Sequence, residues 1–313
     1  MAEPSGRRPR GGGSSADVLG FSQSAFVLLR DLIAQRTGVY FSLDKRDLLA
    51  DKLADLLAAR GMTSYLDYYY LLRYDADAEA HWGELIDRLA VPETYFWRQP
   101  DQILATASVL ASRHFARRPL TPFRIWSAAC CSGEEPLSIA IALAEEGVLG
   151  RHPVEIVASD ASEAMLARAR RGLYGERSFR TLPALLRDRY FSREGAAWRI
   201  DPAVHCLVRW VRANLVEARE VAPLASADVV FCRNVLIYFA DDTVAQVARL
   251  LAATMPDDAH LCLGASESLT RVSSAFDLVE VGGAFMYTKR PGEDGAPPRE
   301  AEARVAGYPS GSR

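Results

Sequence analysis

The sequence lacks the long apolar segments that place a chain in a membrane. Its apolar runs are short and interrupted, and none approaches the roughly 20 residues needed to cross a bilayer. The N-terminus also lacks the apolar core of a secretion signal. These absences predict a soluble, cytoplasmic protein with no direct insertion into the membrane.

Metal-binding patterns and a large excess of one charge are also missing. The five cysteines include no CxxC pair and no Cys/His cluster of metal-ligand spacing, so we expect no metal site and reduced, mostly buried cysteines. The formal net charge of -3 argues against a surface built as a whole to bind nucleic acid or anionic lipid. We expect a monomer without a nucleic-acid partner.

The 313 residues suffice for one large domain and a smaller one. Gly-, Ser- and Pro-rich segments at both ends are predicted to be disordered. Apolar residues at helical spacing, such as Phe26, Leu29 and Ile33, predict an all-helical segment with helix stops at Gly38 and Gly61. The predicted division is a disordered tail at 1–20, a helical domain at 21–91, a linker and connecting helix at 92–122, an α/β domain at 123–290 and a second disordered tail at 291–313.

Strands and helices alternate from Phe123 onward. Two predicted strands are FRIWSA and VEIVASD, with one helix between them and another after the second. Crossovers of this length predict a parallel sheet of right-handed units. Later strands are predicted in LVRWVRANL, DVVFCRNVLIYF and HLCLGAS. The last two, FDLVEV and AFMYTKR, are separated by Gly282 and Gly283, which predicts an antiparallel hairpin.

The turn after the first predicted strand is a candidate ligand site, because ligands of open parallel sheets bind beyond the carboxyl ends of the strands. In AACCSGEEPLSIAIAL, Gly133 allows a tight turn, and the following helix N-terminus offers free amides to a carboxylate. The full GxGxxG spacing is absent, and Glu134 and Glu135 would repel a pyrophosphate. The pattern favours a ligand with positive charge or many hydroxyls.

Three further strand-end residues are candidates for binding. Asp160 ends the second strand, where an acidic side chain can accept hydrogen bonds from ribose hydroxyls; a helix N-cap completed by Glu163 is the alternative. Asn214 and Asn234 can read an adenine edge or an amino-acid amine, with turn-forming asparagine as the alternative. Arg233 lies in an apolar segment and needs a partner. The candidate partners are Glu134, Glu135 and Glu267.

The segment VPETYFWRQPDQ joins the two predicted domains and contains Thr94, three consecutive aromatic residues and Arg98. The aromatic residues can simply pack the helices onto the sheet domain. Alternatively, Arg98 can stack on them and bind a carboxylate bidentately. The residues alone leave both interpretations open.

Together, these segments closely resemble the CheR family of chemotaxis receptor methyltransferases. The matching stretches are PETYFWR, RIWSAACCSGEEPLSIAIAL, ASD, ANL, CRNVLIYF and GASESL, in the right order and at the right spacing between about Phe21 and Lys289. The resemblance implies a class I S-adenosylmethionine-dependent methyltransferase, an α/β protein with a Rossmann-like doubly wound sheet and an antiparallel C-terminal hairpin. It also implies an N-terminal all-helical domain and a small β-subdomain inserted at about 188–212.

The resemblance further implies that S-adenosylmethionine is the cofactor and S-adenosylhomocysteine the product. Asp160 would hold the ribose, and Asn214 and Leu215 would flank the adenine. The other implied cofactor contacts, near the methionyl end and the inter-domain cleft, are Thr94, Arg98, Glu134, Asn234 and Val235. Pro92 stands where many members carry asparagine, so it offers no side-chain amide to the cofactor.

The implied reaction esterifies glutamate side chains in the cytoplasmic domain of chemotaxis receptors. A glutamate carboxylate, with a reference pKa of about 4.3, is already an anionic nucleophile at neutral pH, so no general base is required. We hypothesise that Arg98 and Tyr238 orient it. Lys45, Lys52 and Arg60 share one face of the predicted second helix and could meet an acidic receptor helix. A solvated helix face is the alternative, because aspartates occupy a neighbouring stripe.

Two other functions stay open from the sequence. The cofactor motifs alone would permit a methyltransferase for another protein or a small molecule. The second is not an enzyme: a signalling scaffold that binds the cofactor without turning it over.

Overall fold

The computed structural model describes residues 20–290, so the two tails predicted to be disordered lie outside the described residues except for Gly20. The N-terminal part is all helical, as predicted. In chain order the helices and strands are α1 Gln23–Thr37, α2 Arg46–Ala59, α3 Tyr65–Tyr74, α4 Ala78–Leu89, α5 Pro100–Ala105, α6 Ala111–Arg117, β1 Phe123–Ala128, α7 Glu134–Glu145, β2 Val154–Asp160, α8 Glu163–Arg171, β3 Leu173–Tyr174, α9 Ala184–Tyr190, β4 Phe191–Glu194, β5 Ala197–Ile200, α10 Pro202–His205, β6 Val208–Arg212, α11 Ala218–Ala225, β7 Val229–Cys232, α12 Asp241–Thr254, β8 His260–Cys262, β9 Phe276–Val281 and β10 Ala284–Lys289.

Local capping residues set the ends of the first helices. The Ser22 hydroxyl accepts a hydrogen bond from the Ala25 amide and starts α1. The helix ends at Gly38, whose φ of 80° is the left-handed conformation that glycine adopts without strain. Gly61 follows α2 with a φ of 63°. Both glycines therefore act as the helix stops that the sequence predicts.

Gly38 also lies where the two domains touch. Val39 forms an antiparallel bridge with Phe239, and the Tyr40 amide donates to the Tyr238 carbonyl at 2.9 Å. A Cβ atom added at Gly38 would lie 2.7 Å from the Phe239 ring. Only glycine at position 38 therefore allows this close approach between the helical domain and the segment after β7.

We expect Gly38→Ala to destabilise the protein more than Gly61→Ala. Both changes place alanine in a left-handed conformation, which costs about 1–2 kcal/mol. Nothing lies within 4 Å of a Cβ at Gly61, whereas Gly38→Ala must also displace the Phe239 ring. Urea unfolding of both variants measures the difference, and equal losses would contradict the role assigned to the contact with Phe239.

The large sheet has the strand order β6-β2-β1-β7-β8-β10-β9. Strands β6, β2, β1, β7 and β8 are mutually parallel, while β10 pairs antiparallel with both β8 and β9. Gly282 and Gly283 form the hairpin turn with φ angles of 58° and 82°. The predicted parallel sheet with an antiparallel C-terminal hairpin is confirmed.

Helices cover both faces of this sheet. Phe123 and Ile125 of β1 are buried in one cluster with residues of α7 such as Leu137. Trp126, on the opposite face of the same strand, is buried in a second cluster that includes Val247 of α12. Alternate residues of β1 thus point to opposite faces, and both faces are buried, as expected for a central strand of a doubly wound sheet. Among the described residues, no helix combines the length and the apolarity of a membrane span.

The inserted subdomain differs from its predicted bounds. A separate antiparallel sheet of order β3-β5-β4 runs from Leu173 to Ile200, earlier than the predicted 188–212. Val208–Arg212 instead pairs in parallel with β2 and belongs to the large sheet. The two-residue strand β3 is too short to show any periodicity in the sequence, so the start of the insertion could not be recognised.

Candidate active site

Two adjoining cavities lie at the carboxyl edge of the large sheet. The larger, of about 260 Å³, is bounded by the helical domain on one side and by the ends of β1, β2, β6 and β7 on the other. The smaller, of about 80 Å³, shares Cys131, Asn234 and Tyr238 with it and extends toward the segment between the domains. Both cavities therefore lie where an open parallel sheet binds its ligands.

Most of the predicted site residues meet at these two cavities. The larger cavity is lined by Asp160, Asn214, Leu215, Asn234, Val235 and Tyr238. The smaller one adds Thr94 and Arg98. Of the predicted cofactor and catalytic residues, Glu134 is the one that lines neither cavity.

The Asp160 carboxylate holds two loops together. One of its oxygens accepts a hydrogen bond from the Cys131 amide and the other from the Ser162 amide, each at 2.8 Å. Burial raises the pKa of Asp160, and these backbone hydrogen bonds oppose the rise. The alternative role of Asp160 as the cap of α8 is wrong, because the Ser162 hydroxyl caps that helix by accepting from the Met165 amide.

The neighbouring glutamates Glu134 and Glu135 have different surroundings. Glu134 is 3% exposed and accepts hydrogen bonds from the Ser132 and Ser178 hydroxyls at 2.8 and 3.0 Å. Its predicted contact with the cofactor stays a prediction, since its carboxylate is directed at the two serines. Glu135 lines the smaller cavity instead and pairs with Arg233, 3.4 Å from carboxylate oxygen to Nε. Of the three partners considered for Arg233, Glu135 is the one that forms an ion pair with it.

Glu267 is a structural anchor that the sequence did not single out for the site. Its carboxylate accepts hydrogen bonds from the Asn234 and Gly264 amides at 2.7 Å and from the Leu236 amide at 2.8 Å. Asn234 has a φ of 60°, so this loop leaves the strand in a conformation that needs support. Glu267 thus fixes the loop that presents Asn234 and Tyr238 to both cavities. The sequence indicates Glu267 only as a candidate partner of Arg233, and its position just after a predicted strand was the signal for a role at the site.

We expect Glu267→Gln to lower the free energy of unfolding by about 2 kcal/mol. Glutamine keeps the size of the side chain, but its NH₂ group cannot accept the hydrogen bonds that one carboxylate oxygen receives. The matched control is Glu280→Gln, which makes the same chemical change at an exposed position of β9. Urea unfolding measures both variants, and similar small losses in the two would exclude Glu267 as an anchor.

Arg98 and Tyr238 both line the smaller cavity. The Arg98 guanidinium donates to the Glu93 carbonyl at 2.8 Å and lies 5.5 Å from the centre of the Tyr95 ring. Burial raises the pKa of Tyr238, although the positive charge of Arg98 opposes the rise. The Tyr238 hydroxyl therefore stays protonated at neutral pH and can donate a hydrogen bond.

The aromatic residues between the domains have two different roles: one packs against the sheet domain, and another stacks with Arg98. Phe96 is fully buried and stacks on Phe179 with ring centres 5.3 Å apart, so it packs the segment onto the inserted subdomain. Tyr95 instead has the guanidinium groups of both Arg98 and Arg180 over its ring. One short segment therefore supplies both a buried packing residue, Phe96, and a cation at the smaller cavity, Arg98.

Asn214 joins the domains as well as lining the larger cavity. Its side-chain amide donates to the Arg36 carbonyl at 2.7 Å, and its side-chain oxygen accepts from the Val216 amide at 3.3 Å. The turn-forming interpretation of Asn214 therefore describes part of its role. Leu215 is buried beside it and supplies an apolar wall.

The three basic residues of the predicted docking face have unequal surroundings. Lys45 is exposed at the rim of the larger cavity. Lys52 donates to the Arg88 carbonyl at 3.2 Å, and burial lowers its pKa. Arg60 is paired with Glu84 and donates to the Leu56 carbonyl at 3.1 Å. Lys52 also lines the larger cavity, but of these three residues Lys45 is the one that is exposed.

The fold and the site together define a class I S-adenosylmethionine-dependent methyltransferase: five parallel strands closed by an antiparallel hairpin, with an acidic residue ending β2. Residues 92–284 match the family model described as CheR methyltransferase, SAM binding domain, and residues 24–90 match CheR methyltransferase, all-alpha domain. The chain belongs to the CheR methyltransferase family. It is an enzyme, and its cofactor is S-adenosylmethionine.

Curated relatives match most of the chain. Chemotaxis protein methyltransferase 2 of Vibrio cholerae serotype O1 is 34% identical over 255 residues, which cover 81% of this chain and 88% of that protein. The chemotaxis protein methyltransferase of Salmonella typhimurium is 33% identical over 267 residues, covering 83% and 89%. That of Escherichia coli is 31% identical over 267 residues, covering 83% and 90%.

Proposed function

We propose that this enzyme transfers the methyl group of S-adenosylmethionine to glutamate side chains in the cytoplasmic domain of chemotaxis receptors. The products are glutamate methyl esters and S-adenosylhomocysteine. The observation that carries the proposal is the pair of joined cavities, one suited to the nucleoside and the other containing Arg98 and Tyr238. The names of the curated relatives support a chemoreceptor substrate.

The residues around the cavities fit the chemistry of the cofactor. Asp160 offers an ionisable oxygen acceptor suited to ribose hydroxyls, and Leu215 offers an apolar wall suited to adenine. The smaller cavity carries both signs of charge, with Arg98 and Arg233 beside Glu93 and Glu135. Such a mixture suits the zwitterionic amino-acid end of the cofactor, and the proposed contacts Thr94 and Asn234 line the same cavity. The proposed contacts Asn214 and Val235 line the larger cavity with Leu215.

S-adenosylmethionine supplies a methyl group on a positively charged sulfur, so the protein mainly has to position the acceptor. The acceptor carboxylate has a pKa of about 4.3 in its ordinary state and needs no general base. Arg98 attracts it, and the protonated hydroxyl of Tyr238 donates a hydrogen bond to it. Burial raises the pKa of the Cys131 thiol to about 12, so this cysteine, which lines both cavities, stays neutral and does not compete as a nucleophile.

Receptor-containing membranes mixed with the enzyme and S-adenosylmethionine labelled in the methyl group test the proposed function. We expect label in the receptor band that is released as methanol by base, because carboxyl methyl esters are base-labile. Base-stable label, or label on another protein, would favour a different methyl acceptor. Cofactor binding without any transfer would favour a signalling scaffold.

The proposed receptor surface is centred on Lys45. The prediction that all three basic residues lie within one helix is corrected by the structure, in which Lys45 precedes the first residue of α2, Lys52 lies within the helix and Arg60 follows its last residue. We expect Lys45→Glu to raise the KM for receptor about fivefold, which corresponds to the ~1 kcal/mol of a partly exposed ion pair. The control is Arg249→Glu, which reverses an exposed charge on α12. Initial rates at varied receptor concentration measure the effect, and an equal change in both variants would show that Lys45 has no specific contact.

A further inference from the structure

Arg98 lies between two residues with unusual backbone conformations. Trp97 and Gln99 have φ angles of 63° and 49°, in the left-handed region that non-glycine residues rarely occupy. Each such residue costs about 1–2 kcal/mol. Strain of this kind persists only where surrounding groups hold the backbone in place. The direction of the Arg98 side chain therefore depends on what holds Trp97 to Gln99.

Arg233 holds the second half of this segment. Its side chain is 1% exposed, and its guanidinium donates to the carbonyls of Arg98 and Gln99 and to the Gln99 side-chain oxygen. Carbonyls of two consecutive residues are thus bound by one rigid, planar group. On the other side of Arg98, the Trp97 amide donates to the Ser138 hydroxyl of α7 at 3.0 Å.

Glu135 keeps the charge of Arg233 compensated. Its carboxylate lies 3.4 Å from the Arg233 Nε atom and accepts a hydrogen bond from the Ser127 hydroxyl at 2.7 Å. A buried ion pair of this kind contributes little net stability, because both ions lose their hydration. Removal of one partner is costly, because it leaves a buried charge alone. Stability alone therefore does not account for placing this pair beside the cavity.

We propose that Arg233, charge-balanced by Glu135, is a positioning residue for Arg98. It fixes the strained backbone from Trp97 to Gln99, so that the Arg98 guanidinium enters the smaller cavity at the angle needed to orient the acceptor carboxylate. This inference rests on the proposed role of Arg98 in the reaction. Arg233 itself acts on the backbone that carries the orienting group, through the carbonyls of Arg98 and Gln99.

A double-variant cycle tests the inference, with Arg233→Lys, Arg98→Ala and the two combined. Lysine keeps the charge but cannot span both carbonyls, so we expect kcat to fall about 10- to 100-fold. If Arg233 acts through Arg98, the double variant is no slower than Arg98→Ala alone. Multiplicative losses, or an Arg233→Lys kcat within twofold of the parent enzyme, would overturn the inference.

Hydrogen exchange of the peptide 94–102 provides a readout independent of turnover. We expect faster exchange in Arg233→Lys and in Glu135→Gln, which leaves Arg233 in place but removes the balancing charge. The control is Asp228→Asn, which neutralises a carboxylate whose oxygen lies 3.4 Å from the His114 Nδ1 atom at the opposite edge of the sheet. This control should change neither kcat nor exchange in 94–102. Unchanged exchange in both test variants would also overturn the inference.

The two measurements separate this inference from the proposed function. Full turnover by Arg98→Ala would refute the orienting role of Arg98 itself. Loss of turnover in Arg98→Ala with normal turnover and exchange in Arg233→Lys would refute only the positioning role of Arg233.

Discussion

Alanine at position 160 is expected to weaken the binding of S-adenosylhomocysteine by about 100-fold, or ~3 kcal/mol. The change removes the acceptor proposed for the ribose hydroxyls. It also frees the Cys131 and Ser162 amides, which the carboxylate now holds at 2.8 Å, so the turn between β1 and α7 loses its link to β2. Hydrogen bonds to a charged acceptor are worth about 1.5–3 kcal/mol each, so the loss of one or two accounts for the effect.

Titration calorimetry with S-adenosylhomocysteine measures this affinity for Asp160→Ala and for a matched control. In the control, Asp201→Ala, the lost carboxylate also accepts a hydrogen bond from a backbone amide two residues ahead, that of Ala203 at 2.8 Å, but at the start of α10, just after the inserted sheet. We expect the control to bind like the parent protein. An affinity of Asp160→Ala within threefold of the control would exclude Asp160 as a cofactor contact.

Turnover is expected to fall about 100- to 1000-fold in Arg98→Ala, the range seen when one preorganised charge-stabilising donor is removed from an active site. The guanidinium is the cation proposed to meet the acceptor carboxylate. Tyr238→Phe removes one hydrogen-bond donor of a pair, and we expect a smaller loss of about 10-fold. Initial rates of methyl transfer to receptor, at saturating cofactor, measure both effects.

Arg180 offers the matched control for Arg98. Both guanidinium groups lie over the Tyr95 ring, at 3.6 Å for Arg180 and 5.5 Å for Arg98, but Arg180 lines neither cavity. We expect Arg180→Ala to retain turnover. Loss of turnover in Arg98→Ala combined with an unchanged rate in Tyr238→Phe would remove the tyrosine from the orienting pair.

The arrangement of the large sheet could be predicted because each strand carries its own local signal. Apolar segments such as FRIWSA recur between helical segments of crossover length, and paired glycines mark the hairpin. The positions of Asp160, Asn214 and Asn234 follow from the same pattern, since strand ends in a parallel sheet share one edge. The inserted sheet was misplaced because its first strand, Leu173–Tyr174, is defined only by pairing with a distant segment.

Other features of the site depend on tertiary contacts and left no pattern in the sequence. The left-handed conformations of Trp97 and Gln99 occur in residues with no preference for them, and they are held by groups distant in sequence. Glu267 is recognised as an anchor only once its carboxylate is seen beside three backbone amides. For the same reason, the sequence could propose three partners for Arg233 but could not choose among them.

The bridge between Val39 and Phe239 and the hydrogen bond from Asn214 to the Arg36 carbonyl join the helical domain to the larger cavity, which is the cavity proposed to hold the cofactor. Domain association and ligand affinity are consequently linked, and the linkage is reciprocal. If the bound cofactor raises the equilibrium constant for association of the domains by some factor, association of the domains raises the affinity for the cofactor by the same factor. A substitution confined to the domain junction can therefore weaken cofactor binding without contacting the cofactor. The rate of product release can likewise depend on how readily the domains separate.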